Sequence, residues 1–151
     1  MNSSIYSDAL GLFSYNETTK NFENYKGNIH FILNSINIGG AKELLIGVEK
    51  QFSTVEVFEQ HVKTSVAENL LDYKNDFWPE YDENDPNLNW EAVDAGEYNI
   101  TLKEFVSSIS LSDVVINKHA IYCEFYDGDL FGGHRIHATF SRDLKLLKAN
   151  I

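Results

Sequence analysis

The chain reads as an α+β fold: an antiparallel sheet built from N-terminal and C-terminal hairpins, packed against one long amphipathic helix. Three observations predict it. Residues 10–15 (LGLFSY) and 27–36 (GNIHFILNSI) are short apolar runs bounded by turn chemistry, as strands are. Val55, Phe58, Val62, Val66, Leu70, Tyr73 and Phe77 recur every three or four residues and form one helical stripe. Residues 120–140 (AIYCEFYDGDLFGGHRIHATF) alternate apolar and polar side chains about an Asp-Gly turn. The stripe and the one-sided strands each need the other, because neither buries its apolar side alone. At 151 residues the chain fits one domain, 1–151, with enough length to bury a core without staples.

Taken in order, residues 1–8 read as a loose end. The strand at 10–15 turns through NETTK and returns through Phe22 and Tyr25. Asn16-Glu17-Thr18 matches a glycosylation pattern but reads as that turn. Gly39-Gly40 breaks the chain before a short helix over 41–50. Ser53 with Glu56 predicts a capping box, and Phe52 with Val57 its staple, so the long helix is expected over 54–78. Pro79 stops it. Glu59 and Lys63 form a surface pair, and His61 lies at the stripe's boundary. Thr101 with Glu104 is a second capping box, opening a helix that ends near Ser108. Val114 to Ile116 begins a strand, and the last residues, LKLLKANI, read as an edge strand guarded by Lys145 and Lys148.

Asp127-Gly128 as a two-residue turn sets the hairpin register: Phe125 opposite Leu130, Cys123 opposite Gly132, Ile121 opposite His134. One face then carries Ile121, Cys123, Phe125, Leu130, Ile136, Ala138 and Phe140. The other carries Tyr122, Glu124, Tyr126, Asp129, Phe131, Arg135, His137 and Thr139. Gly132-Gly133 marks a bulge or a close approach. Asp127, Asp129 and His134 are the donor types of a partial metal site, yet Asp127 is a turn residue and His134 falls opposite Asp129's face. His119 and His137 read as half-exposed strand residues. No metal and no cofactor are expected.

The lone cysteine, Cys123, allows no internal disulfide and no multi-cysteine zinc site, and its apolar position reads as an inert thiol. No nucleophile–base–orienter set can be named, so an enzyme is not expected. The N-terminus MNSSIYSDAL is polar and no apolar run reaches the length of a span, which predicts a cytoplasmic protein. Twelve Lys and Arg against 23 Asp and Glu give a net charge of −11. That argues against nucleic acid or a membrane as partner and suits a basic protein.

The acidic bias is concentrated. Between Lys74 and Lys103 there is no Lys or Arg, while Asp76, Glu80, Asp82, Glu83, Asp85, Glu91, Asp94 and Glu97 fall there with Trp78, Tyr81, Trp90 and Tyr98. Residues 79–97 show no periodicity and are expected to form a long exposed acidic loop. Its spacing does not match an EF-hand. The partner-binding candidates are Glu80, Tyr81, Asp82, Glu83, Asp85, Trp90, Glu91 and Asp94: carboxylates to meet a basic surface, aromatics to anchor it.

These segments, in this order, resemble the bacterial family catalogued as domain of unknown function 2262. The pieces that carry the resemblance are LGLFSYNETTKNFENYKGNIHFIL, AENLLDYKNDFWPE, ITLKEF, FYDGDLFGGH and the terminal ANI, covering most of residues 9–151. YDGDLFGGH is the most specific. A second glycine where a bulky aromatic is expected before Gly133-His134, and the longer acidic loop, are departures. The family brings no catalytic residues. Relatives of this kind lie near bacterial toxin genes, which implies an immunity role: binding a cognate toxin and covering its basic surface. The alternatives are a small acidic protein with another binding role, or a metal-dependent or hydrolytic enzyme.

Overall fold

In the computed structural model, which describes residues 4–78, 86 and 89–151, eight strands form a single sheet in sequence order. They are β1 (Ser4–Ser7), β2 (Gly11–Asn16), β3 (Asn21–Lys26), β4 (Ile29–Leu33), β5 (Ser110–Ile116), β6 (Ala120–Tyr126), β7 (Ile136–Ser141) and β8 (Leu146–Asn150). Among the described residues, four helices lie between β4 and β5: α1 (Ile38–Glu49), α2 (Val55–Phe77), α3 (Trp90–Asp94) and α4 (Leu102–Ser108). The α+β class therefore holds, but the layout differs from one helix on two hairpins. The helical segment leaves one edge of the N-terminal half and returns beside it, so β4 and β5 pair in parallel while every other pair is antiparallel. A parallel pair needs a long crossover, and the helices supply it.

One face of the sheet is dry. Phe13, Phe31, Val114, Cys123, Phe125, Ala138 and Phe140 lie on it, buried with Phe58, Val62 and Val66 of α2 and Leu45 and Val48 of α1. The alternation that places them there is the period of two expected of a half-buried sheet. Residues 4–7 are not loose: they pair with β2, and Ile5 is buried. At the opposite edge β8 carries the exposed Lys145 and Lys148 near it or on it, as expected of a guarded edge.

Helix α2 starts one residue later than the capping box predicts. Thr54 is the cap, its hydroxyl accepting from Val57 N at 3.2 Å. Phe52 packs on Phe58, at 4.7 Å between rings, and Val57 is exposed. Two cap-competent residues stand side by side, and the one that lets Phe58 face the sheet wins. The stripe is buried from Val55 to Leu70; Tyr73 and Phe77 at its end are exposed, and Lys74 is buried instead. Its ammonium donates to the carbonyls of Trp78 (3.1 Å) and Tyr98 (2.9 Å), tying off the helix end, and burial lowers its pKa. The capping box of α4 is present in both directions.

The hairpin register also differs. Phe125 pairs with Ile136, Cys123 with Ala138 and Ile121 with Phe140, so residues 127–135 form a loop instead of a two-residue turn. The slip is an even number of residues, which keeps the inward and outward faces as expected along both strands. The exception is Phe131, expected outward but fully buried against Tyr73, Trp78 and Phe105.

Candidate functional site: the outer sheet face and the acidic segment

The loop owes its shape to Asp127. Its carboxylate is buried and accepts from three backbone N–H groups: Asp129 at 3.0 Å, Phe131 at 3.0 Å and Gly133 at 2.9 Å. Gly128, Asp129, Gly132 and Gly133 all have positive φ, which wraps the chain around that carboxylate. A Cβ on Gly128 would stand 2.0 Å from Ser108 O. The Asp-Gly pair is thus a loop organiser, and both oxygens of Asp127 are taken by backbone. His134 is exposed, its ring 5.8 Å from Trp78. Among the described residues no group of three or more His, Cys, Asp or Glu is placed to hold a metal ion.

Of the expected partner-binding residues, Glu80, Tyr81, Asp82, Glu83 and Asp85 lie outside the described residues. The other three fall on structure where a loop was expected. Trp90, Glu91 and Asp94 belong to α3, capped by Asn89, whose side chain accepts from Ala92 N at 3.0 Å, and Ala92 is buried. A helix of one turn is set by its cap and is too short for periodicity to reveal. Glu91, Asp94 and Glu97 are exposed, and Trp90 and Tyr98 are 46% and 42% exposed.

A second set of charged residues emerges from strand register. The outer face of the sheet brings Tyr25, His30, Asp113, Glu124, His137 and Asn150 into one cross-strand row. Glu23 and Tyr122 belong to the neighbouring row. His30 sits between two carboxylates, Nε2 at 3.0 Å from Glu23 and Nδ1 at 3.6 Å from Asp113. Arg135 reaches back over the face, Nη2 at 3.0 Å from Asp113 and Nε at 2.7 Å from Glu124, the second a charge contact more than an aligned hydrogen bond. Burial works against its charge, but Tyr126, Glu124 and Asp113 outweigh it and raise its pKa. Arg135 also lies 4.3 Å over the Tyr126 ring and donates to Ser112, which is buried at the β5 bulge. Tyr122 bonds His137 Nδ1 and approaches Glu124 at 3.4 Å; burial, then Glu124, raises its pKa and keeps the phenol protonated.

The outward parity of Tyr122, Glu124, Arg135 and His137 was legible in the hairpin. The approach of Asp113 to Glu23 and His30 was not, because it depends on the parallel β4–β5 pair. Cys123 is fully buried, and burial pushes its thiol far up, out of nucleophilic range. No helix among the described residues is long and apolar enough to cross a membrane.

These features define a class: an α+β protein with one meandering sheet, helices on one face, and a charged, aromatic outer face. More particularly, the family "Uncharacterized protein conserved in bacteria (DUF2262)" matches residues 7–151, and the chain belongs to that family. No curated protein and no solved structure matches it.

Proposed function

We propose that this chain is an immunity-type protein that binds a cognate bacterial toxin and covers its basic surface. The observation that carries the reading is the concentration of negative charge: a chain of net charge −11 whose interval from Lys74 to Lys103 contains no basic residue. The described part of that interval presents Glu91, Asp94 and Glu97 to solvent beside Trp90 and Tyr98. A toxin that grips phosphate must present Lys and Arg, and carboxylates can occupy that surface in place of the nucleic acid. Opposite fields raise association to about 10⁸–10⁹ M⁻¹s⁻¹ at low salt. Half-exposed aromatics then supply apolar anchors, since rim charges steer and buried rings hold.

The test is genetic and direct. The enzyme encoded beside this gene is expressed in a host with and without this chain. Survival that depends on this chain supports the reading; an unprotected host, or a neighbour with no toxic activity, overturns it.

A further inference from the structure

The outer face of β1–β3 holds a strip of large side chains that the core does not use. Tyr6, Leu12 and Tyr25 are 69%, 53% and 68% exposed. Tyr6 pairs with Leu12 across β1 and β2, and Leu12 and Tyr25 line one depression. That depression, of about 710 Å³, opens over β2–β4 and is also lined by Glu17, Glu23 and His30, with no Lys or Arg among its walls.

The geometry is specific. Tyr25 lies flat on His30, with ring centroids 4.4 Å apart and planes 6° from parallel. One π-face is therefore held against the imidazole, and the exposed ring is fixed in orientation. Glu23 is fixed too: one oxygen meets His30 and the other accepts from Thr19 Oγ1 at 3.0 Å. An aromatic platform with locked orientation, a positioned carboxylate beside it and an apolar flank form a receptor for a cation on an aliphatic stem.

We propose that this depression is a docking surface for a basic protein partner and takes one of its lysine or arginine side chains. The stem would lie along Leu12, and the charge over Tyr25 on the side facing Glu23, with Glu17 beyond it at the β2–β3 turn. This rests on the reading that the partner is basic, and adds a second contact surface to the acidic segment around α3. Charge complementarity selects the occupant: a second copy of a chain of charge −11 would bring the same carboxylates against these. The neighbouring Asp113 and Glu124 are already engaged by Arg135, whereas among the described residues no Lys or Arg pairs with Glu17 or Glu23.

The test uses the full chain, ¹⁵N-labelled, titrated with a peptide amide of alternating arginine and glycine at about 0.15 M salt, where diffuse attraction is screened. Saturable shifts at Glu23, Tyr25 and His30 are expected. Tyr25→Ala should weaken binding about fivefold, the scale of an exposed cation–π contact. Glu23→Gln should weaken it too, while Glu68→Gln, which removes the same charge from the exposed side of α2, should not. Both altered side chains are on the outer face, and unchanged far-UV spectra check the fold. Saturable shifts confined to Trp90, Glu91 and Asp94 would overturn the sheet-face proposal and leave the basic-partner reading standing. The absence of any saturable site would overturn both.

Discussion

Asp127→Ala should be among the most damaging single polar substitutions in the C-terminal half. The carboxylate removed accepts three backbone N–H groups, and the Phe131 N–H is buried while those of Asp129 and Gly133 are partly open. An orphaned buried donor costs about 1–3 kcal/mol, and donors that water can reach cost less. Releasing a buried carboxylate recovers some desolvation, but it leaves all three donors behind. The sum is about 3 kcal/mol, or about 9 °C in Tm for a chain of this size. Asp127→Asn keeps one acceptor oxygen but turns an amide N–H toward a donor, so it should cost about half as much. Urea unfolding measures both. Near-UV circular dichroism adds a local readout, because the loop seats Phe131 against Tyr73, Trp78 and Phe105. A midpoint for the alanine variant within about 0.5 kcal/mol of the parent would refute the claim that this carboxylate organises the loop.

Other consequences follow from named contacts. A Cβ on Gly47 would stand 2.0 Å from Arg142 Nη2, and Arg142 donates to the carbonyls of Asn117 and Lys118. Gly47→Ala should thus destabilise by about 1 kcal/mol despite a helix-propensity gain of similar size. In an Arg142→Ala background the sign should reverse, and a double-mutant cycle in urea reads it. Cys123 should resist thiol reagents at neutral pH until the protein unfolds; fast labelling of the native protein would contradict its burial. Thr101→Ala removes the hydroxyl half of the α4 capping box, the acceptor for Glu104 N, while the backbone N–H of residue 101 keeps its bond to the Glu104 carboxylate, and it should cost about 1 kcal/mol by thermal melt. For partner binding, Trp90→Ala should mainly speed dissociation, as a lost anchor does, with association little changed in surface plasmon resonance.

How much was legible follows the range of the interactions. The strands read at 10–15 and 27–36, found at 11–16 and 29–33, the α2 stripe to Leu70 and the α4 cap are local patterns, which is why periodicity and capping reach them. The inward set Ile121, Cys123 and Phe125 was readable because strand parity is local as well. What failed was non-local or too short. The Asp127 loop depends on a side chain reaching its own backbone up to six residues on, which outcompetes the tight turn that Asp-Gly otherwise favours. Phe131 follows that loop inward. The meeting of Glu23, His30 and Asp113 requires the parallel return of β5 to β4 after four helices, and no local signal encodes it. In the acidic segment, Trp90, Glu91 and Asp94 stand together on α3, while Glu80, Tyr81, Asp82, Glu83 and Asp85 fall outside the described residues.

In the proposed function this chain works by electrostatic capture of a basic partner. The most direct measurement is the association rate with the purified product of the neighbouring gene, the proposed toxin, followed by stopped-flow tryptophan fluorescence across a series of salt concentrations. Electrostatic capture predicts a fast rate at low salt that falls steeply as salt rises, and a slower, flatter profile for the combined Asp82→Asn, Glu83→Gln and Asp85→Asn variant. A rate indifferent to salt, and unchanged by that triple neutralisation, would contradict it.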